Sequence, residues 1–289
     1  MAFPFFALVI GAVAMGCSPL FVRLADVGPF ASAFWRVALA LPALYLWQRY
    51  SPEPRMPLDR NVRVAVVLSG IAFAGDLLFW HLAILHTSIA NATLLATMAP
   101  VWVFLVSFLF LGHRLRKVEL LGLAICIAGG ALLVRDSFGF SGLRLRGDME
   151  ALATSLFFGL YIVAINQARA RCGAARVIFL STVVTTACLL AASLVANEVF
   201  WPQSIHGWLV LAGLALISQA AGQGLLTFSL GQLPVAFSSL VVFLEAVAAA
   251  ALGWIILNEA LGLWQWIGGF LVLLGIWWAR PRAQVPEKR

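Results

Sequence analysis

The fold of this chain is decided by the stretch Ala83–Leu115, AILHTSIANATLLATMAPVWVFLVSFLFLGHRL. It opens with a short polar segment, continues with a long apolar run and ends in a basic turn. An apolar run of about 23 residues matches the length of a helix that crosses the ~30 Å hydrocarbon core of a bilayer once. The stretch therefore predicts a transmembrane helix with a polar turn at each end.

The composition of the whole chain favours an integral membrane protein. Of its 289 residues, 63% are hydrophobic and 11% are charged, whereas a soluble domain carries roughly 25% charged residues. A soluble protein this apolar could not cover its own core with polar side chains. The net charge of +7 does not point to nucleic acid, because the basic residues lie mostly in short loops between apolar segments. We therefore expect the lipid bilayer as the environment and no nucleic-acid partner.

The same pattern occurs a second time at Pro234–Leu261, PVAFSSLVVFLEAVAAAALGWIILNEAL. With an offset of 146 residues and no gap, Leu94 aligns with Leu240 and Gly122 with Gly268. Further pairs, at an offset of 143, are Gly16 with Gly159 and Gly70 with Gly213. The matched order of turns and apolar runs indicates one structural unit that occurs twice in the chain.

Ten apolar segments are long enough to cross the membrane, and each must be helical because lipid offers the backbone no hydrogen-bond partners. They are residues 3–22, 30–48, 63–85, 89–111, 117–135, 149–168, 177–196, 207–229, 234–257 and 261–279. We expect an all-α membrane protein with two five-helix repeats, residues 1–146 and 147–280, and a tail at 281–289. Because five is odd, the second repeat has inverted topology, which places a substrate site near the midplane between the repeats.

The basic residues also predict the orientation of the chain. Fourteen of the Lys and Arg residues fall on the side that holds both termini, four fall on the other side, and Arg36 lies within the second span. Because cytoplasmic loops carry an excess of Lys and Arg, we expect both termini in the cytoplasm. The expected location is a multi-pass protein of the bacterial inner membrane.

Several short motifs resemble the EamA family of the drug/metabolite transporter superfamily. They are AILHTSIANATLL, APVWVF and LGHRL in the first half, and LEAV, LNEAL and WQWIGG in the second. The resemblance implies ten helices in two inverted repeats and export of small metabolites. The chain looks most like the YddG-type exporters of aromatic and other neutral amino acids. It departs from the family pattern at His113, where Glu is usual, and at Ala246, where Pro often follows Glu245, so roles tied to those residues are not carried over.

Polar residues inside the predicted spans are candidates for the substrate cavity, because an ionisable side chain in the membrane is costly and usually faces the bundle interior. Asp76 and Trp80 lie four apart on one helix face, and Gln219 and Gln223 lie 143 residues further on. These pairs are expected to bind the amino and carboxylate groups of a substrate; interhelical polar contacts are the alternative. Glu245 is expected to bind an ammonium group, carry a proton or pair with Arg36.

Aromatic and small residues complete the predicted site. Met98, Trp102, Phe157 and Tyr161 are the predicted apolar wall, with lipid or interface contacts as the alternative. His81 is a further candidate for substrate binding or proton coupling, or a buried histidine bonded to a neighbouring helix. The candidate gating and packing residues are Gly16, Gly159 and Pro19, because glycines allow close helix approach and Pro19 disfavours helical geometry at Ser18.

The sequence shows no pattern of an enzyme. It contains no nucleophile–base arrangement, no His-x-x-x-His pair and no Cys-x-x-Cys pair among its four cysteines. We expect no catalytic residue, no metal and no cofactor. The predicted function is a carrier that exports aromatic and neutral amino acids by alternating access. A multidrug, lipophilic-cation or other metabolite exporter is the alternative, and a lipid flippase or membrane enzyme is the alternative of another class. Monomer and homodimer, and facilitated diffusion and proton antiport, stay open.

Overall fold

The computed structural model describes residues 2–53, 58–87, 89–112, 116–133, 135, 142–257 and 262–280. In chain order its helices are α1 (Ala2–Gly16), α2 (Ser18–Leu24), α3 (Pro29–Ala38), α4 (Leu41–Tyr50), α5 (Arg60–His86), α6 (Ile89–Ala96), α7 (Ala99–Leu111), α8 (Lys117–Leu133), α9 (Gly142–Arg169), α10 (Ala174–Ala196), α11 (Ile205–Gly213), a π-helical segment (Leu214–Gln223), α12 (Gly224–Leu230), α13 (Val235–Val241), α14 (Leu244–Leu257) and α15 (Leu263–Ala279). The predicted turn residues His113 and Glu259 and the tail 281–289 lie outside the described residues.

The helices are those of a multi-pass membrane protein. In the described part of the chain, eight helical runs are long and apolar enough to cross a membrane. They are Phe3–Leu24, Pro29–Tyr50, Arg60–His86, Ala92–Leu111, Leu145–Arg169, Ala174–Ala196, Ile205–Leu230 and Val235–Leu252. The helices α8 and α15, each of 17 residues, pack against each other. The prediction of a helical membrane protein is confirmed, while the exact number of ten spans stays a prediction.

Four of these runs are interrupted along their length, and the second of them breaks at Leu39 and Ala40, between α3 and α4. The first breaks at Cys17, one residue before the position that Pro19 predicts. The fourth breaks at Thr97 and Met98, between α6 and α7, just before a proline. The run that contains α13 and α14 breaks at Val242 and Phe243. Since the last two breaks are 145 residues apart, within one residue of the repeat offset, the fourth helix of each predicted repeat is interrupted at an equivalent point.

The first helix of each repeat packs in the other repeat. The helix α9, which opens the second repeat, packs along α5, α6 and α7 of the first repeat. In the same way α1 packs along the π-helical segment, α12 and α14 of the second repeat. We call the group α5, α6, α7 and α9 the first bundle, and the group α1, π-helical segment, α12 and α14 the second bundle. The two bundles, rather than the two sequence repeats, are therefore the packed units of the fold.

Matched glycines allow the closest helix contacts in these bundles. A Cβ added at Gly16 would lie 2.7 Å from the Cβ of Ala248, and one added at Gly159 would lie 2.7 Å from the Cβ of Trp102. Ala248 and Trp102 are themselves 146 residues apart. The packing of α1 on α14 therefore repeats the packing of α9 on α7, as the internal repeat requires.

Two glutamates fasten the second span, which consists of α3 and α4, to α10 at opposite ends. Glu198, which follows α10, accepts a hydrogen bond from the backbone N–H of Ala31 near the start of α3. Glu53, which follows α4, accepts one from the N–H of Ala174 at the start of α10, at 3.1 Å. Carboxylates at helix N-termini satisfy free N–H groups and complement the helix dipole. The two glutamates are 145 residues apart, so each repeat caps a helix of the other.

Candidate functional site

A small cavity lies where the two bundles meet. Its volume is about 50 Å³, which is room for one or a few water molecules, whereas pockets for small molecules measure roughly 300–1,000 Å³. Its polar lining consists of Ser18, Arg36, Asp76, Thr93, Thr97, Thr154, Gln223 and Glu245. We call this conformation, whose cavity is too small for such a ligand, the closed form.

Three charged side chains from three different helices face this cavity. They are Arg36 of α3, Asp76 of α5 and Glu245 of α14. Arg36 is 4% exposed and Asp76 is 7% exposed, and among the described residues no salt bridge joins these three groups. Arg36 interacts electrostatically with both carboxylates. One cation and two carboxylates therefore surround the same small volume without neutralising one another by direct contact.

The direct partner of Arg36 is a glutamine of the second bundle. Arg36 Nε donates a hydrogen bond to Gln219 Oε1 at 3.2 Å, and its guanidinium carbon lies 5.9 Å from the centroid of the Phe73 ring. Within the described part of the chain this glutamine is its one hydrogen-bond acceptor, so the buried guanidinium retains donors for a carboxylate. Arg36 can therefore bind an anionic group that enters the cavity.

Several other buried polar atoms near the cavity, in the part of the chain that the structure describes, have no hydrogen-bond partner. Among the described residues, no hydrogen bond reaches Ser18 Oγ, Gln223 Oε1, Glu245 Oε1 or Gln219 Nε2. Buried polar groups are nearly always hydrogen-bonded to protein or water, so these atoms are free to bind water or a ligand. Trp80, Phe158 and Met15 add apolar surface beside them, which gives the mixed lining typical of small-molecule sites.

Part of the predicted set lies at the cavity. Its members there are Gly16, Pro19, Asp76, Trp80, Gln223 and Glu245. Gln219 lies behind them, bound to Arg36. Both glutamines belong to the π-helical segment Leu214–Gln223. Segments of π-helix are rare, and those that do occur are often found at functional sites. No feature of the sequence pattern predicted this one.

The other predicted residues face elsewhere in this closed form. Trp102 Nε1 donates to Ser155 Oγ at 2.9 Å, and His81 Nδ1 lies 2.7 Å from the carbonyl oxygen of Leu77 in its own helix. The Tyr161 ring lies 4.8 Å from that of Phe73 and 5.8 Å from that of Phe158. Phe157 stacks on Phe79, Met98 packs on the core and Gly159 lies against α7. Their part in substrate binding stays a prediction.

Three threonines of the cavity were not among the predicted residues. They are Thr93 and Thr97 of the fourth span and Thr154 of α9. Thr93 and Thr97 are four residues apart within an apolar run, which is the same signal that singled out Asp76 and Trp80. The threonines could therefore have been found from the sequence. Arg36 was noticed, but as the partner of an acid rather than as a part of the site.

One end of the boundary between the bundles is closed by hydrogen bonds. Arg169, at the end of α9, donates from Nε to the carbonyl oxygen of Thr227 in α12 at 3.0 Å. Asn166 Nδ2 donates to the carbonyl oxygen of Leu230 at 2.7 Å. Both bonds cross from the first bundle to the second. Any separation of α9 from α12 at this end of the molecule would break both bonds.

Comparison of the sequence with known families gives a match over most of the chain. Two stretches of the chain, residues 2–135 and 145–280, match the EamA-like transporter family. The chain belongs to this family. It is thus a multi-pass membrane protein of a family of transporters, which favours transport over catalysis.

Relatives of known sequence agree with the family assignment. The chain is 27% identical over 241 residues to the pseudopaline exporter CntI of Pseudomonas aeruginosa, covering 83% of this chain and 82% of that protein. It is 27% identical over 271 residues to an uncharacterized transporter of Archaeoglobus fulgidus, covering 93% of each. A crystal structure with 18% sequence identity superposes with a TM-score of 0.81 over 96% of each chain, which supports the fold. These relatives do not confirm the YddG-type subfamily.

Proposed function

We propose that this EamA-family protein exports small molecules that carry both an ammonium group and a carboxylate. The observation that carries the proposal is the meeting of Arg36, Asp76 and Glu245 at one cavity. Arg36 would bind the carboxylate, and Asp76 and Glu245 would bind the ammonium group. Charge-assisted hydrogen bonds of this kind are shorter and stronger than neutral ones. Because the cavity between these side chains has room for only a few water molecules, little water competes with a substrate there.

Aromatic and other neutral amino acids are the first candidate substrates. The rings of Trp80 and Phe158 lie beside the charged groups, where they would contact an apolar side chain. A lipophilic cation fits less well, because its charge would face the guanidinium of Arg36 without a compensating carboxylate. A flippase or membrane enzyme is disfavoured because the family and its relatives are transporters.

Pseudopaline is a second candidate substrate. The name of the relative in Pseudomonas aeruginosa describes that protein as a pseudopaline exporter, and the two chains align over 83% of this one. The cavity of the closed form is too small for either candidate, so its volume does not separate them.

The proposed mechanism is alternating access, with the two bundles as the moving parts. In this mechanism the bonds of Arg169 and Asn166 to α12 close one end, which the positive-inside rule predicts to be cytoplasmic. The paired breaks at Thr97–Met98 and Val242–Phe243 lie in the fourth helix of each repeat. Broken helices at a binding site are typical of carriers with inverted repeats. Bending at these breaks would open one end while the other stays packed.

Counterflow in proteoliposomes tests the proposal. Vesicles with the purified protein are loaded with unlabelled phenylalanine, pseudopaline or a lipophilic cation, and the uptake of labelled phenylalanine is followed. Stimulation by internal phenylalanine supports the amino-acid carrier, and stronger stimulation by internal pseudopaline than by internal phenylalanine moves the second candidate forward. A lack of any counterflow with folded protein contradicts the proposal. Repeating the assay with a pH gradient separates facilitated diffusion from proton antiport.

A further inference from the structure

A second, larger concavity lies on the outside of the first bundle. It is a groove of about 700 Å³ between α5 and α9, separate from the central cavity. Its floor contains Ala65, Ala72 and Val163, each of which is at most 7% exposed. Its edges are formed by exposed leucines, Leu68 of α5 and Leu160 of α9. The groove therefore has an apolar floor of small buried side chains and opens on the outer surface of the first bundle.

The length of the groove matches one leaflet of the bilayer. Its lining on α5 runs from Arg60 to Ala72, and twelve residues of α-helix rise about 18 Å. Half of the ~30 Å hydrocarbon core is about 15 Å. A single acyl chain that begins at the polar end of the groove would therefore lie along it without crossing the midplane.

The polar end of the groove is positively charged. Arg60, Asn61 and Gln167 lie there and are exposed. Among the described residues, no ion pair involves Arg60. The nearby acid, Asp59, is already paired with Arg171 through a contact of 2.6 Å. The guanidinium of Arg60 therefore remains available for an anion, with two amide side chains beside it as further donors.

We propose that this groove binds one anionic phospholipid of the leaflet that faces the start of α5. The phosphate would lie at Arg60, with hydrogen bonds from Asn61 and Gln167, and one acyl chain would lie over the alanines of the floor. Basic pockets between transmembrane helices on the cytoplasmic side commonly bind anionic headgroups. The groove supplies such a basic end and an apolar seat of matching length. The site is independent of the transport substrate.

Lipid retention by the purified protein tests this site. The protein in detergent is titrated with phosphatidylglycerol or phosphatidylcholine, and the bound lipid is counted by native mass spectrometry. The wild-type protein is expected to retain phosphatidylglycerol preferentially. Arg60→Gln is expected to weaken that retention about fivefold, the effect of one basic side chain near an anionic lipid, and to leave phosphatidylcholine unchanged. The matched control is Lys117→Gln, at the start of a helix outside the groove.

A second variant tests the apolar part of the site. Ala164 lines the groove and is only partly buried, so Ala164→Phe fills the groove from its open side. It is expected to lower the retention of both lipids. Equal retention of the two lipids by the wild type, or an equal loss of phosphatidylglycerol in Arg60→Gln and Lys117→Gln, overturns the proposal. Since Arg60 and Lys117 are exposed, those two variants are expected to fold whatever Ala164→Phe does.

Discussion

Replacing Gly16 or Gly159 by alanine should push the helices of a bundle apart. In either position the new Cβ would lie 2.7 Å from the Cβ of a neighbouring helix. It would also lie 2.9 Å from the carbonyl oxygen of Glu245 at Gly16, or 3.0 Å from that of Ala99 at Gly159. Because ordinary contacts begin near 3.4 Å, the helices must separate by several tenths of an ångström. The clash involves backbone and Cβ atoms, so rotation of a side chain cannot relieve it.

The expected cost follows from the size of this clash. Overpacking a close contact typically costs about 1–3 kcal/mol, while alanine in a helix gains up to about 1 kcal/mol over glycine. We expect a net loss of roughly 1–2 kcal/mol in either variant. The control is Gly269→Ala in α15, where the nearest atom to a new Cβ, Val247 Cγ1, lies 3.8 Å away. That variant should be neutral or slightly stabilising.

Thermal unfolding in detergent, followed by size-exclusion chromatography, measures these differences. The account predicts similar drops in melting temperature for Gly16→Ala and Gly159→Ala, because the internal repeat makes the two contacts equivalent. It predicts no drop for Gly269→Ala. If the three variants melt together with the wild type, or if Gly269→Ala is as costly as the others, the reasoning from close helix approach is refuted.

Three further predictions concern contacts away from the central cavity. Glu198→Ala should lower stability by about 1 kcal/mol, as expected for a lost helix cap, while Glu198→Gln should be tolerated. Because burial raises the pKa of Glu198, the stability that this group contributes is lost as pH rises above 4.5. The melting temperature of Glu198→Gln should therefore rise relative to that of the wild type as the pH increases. Arg169→Met should speed amide exchange in α12 roughly tenfold, as loss of hydrogen bonds to a charged group implies, and Arg171→Met should not. Trp102→Phe should cost about 1 kcal/mol through its lost bond to Ser155 and leave phenylalanine affinity unchanged; a weaker affinity would instead place Trp102 at the substrate.

Much of the fold follows from the sequence because membrane helices obey few rules. Length, hydropathy and the lack of backbone partners in lipid predicted the eight spans found in the described residues to within a few residues, and Pro19 predicted the first break. The exchange of α1 and α9 between the repeats did not follow, because an offset in sequence states which residues are equivalent and not which helices touch. The break at Val242 was also missed, since no proline accompanies it.

The charged residues of the site could be predicted from the sequence. Asp76 and Glu245 stand out because ionisable residues are rare within spans, and both line the cavity. Aromatic residues carry no such signal, because in a chain with 11 tryptophans and 21 phenylalanines most of them pack against helices or lipid. The reciprocal caps of Glu53 and Glu198 were missed because their offset of 145 lies between the two offsets of the repeat.

The central claim is that the cavity binds a zwitterion through Arg36 and the two carboxylates. The direct test is inhibition of labelled phenylalanine uptake into proteoliposomes by three unlabelled compounds. Phenylalanine carries both charges, phenethylamine carries the ammonium alone and phenylpropionate carries the carboxylate alone. The account predicts strong inhibition of the wild type by the zwitterion only. In Arg36→Gln the apparent affinity for phenylalanine should fall roughly 10- to 100-fold, the equivalent of one charged hydrogen bond.

Asp76→Asn should cause a similar loss of affinity, and the exposed Arg63→Gln serves as the matched control with no expected change. Inhibition by phenethylamine as strong as that by phenylalanine, together with unchanged affinity in Arg36→Gln, would contradict the account and favour an exporter of cations.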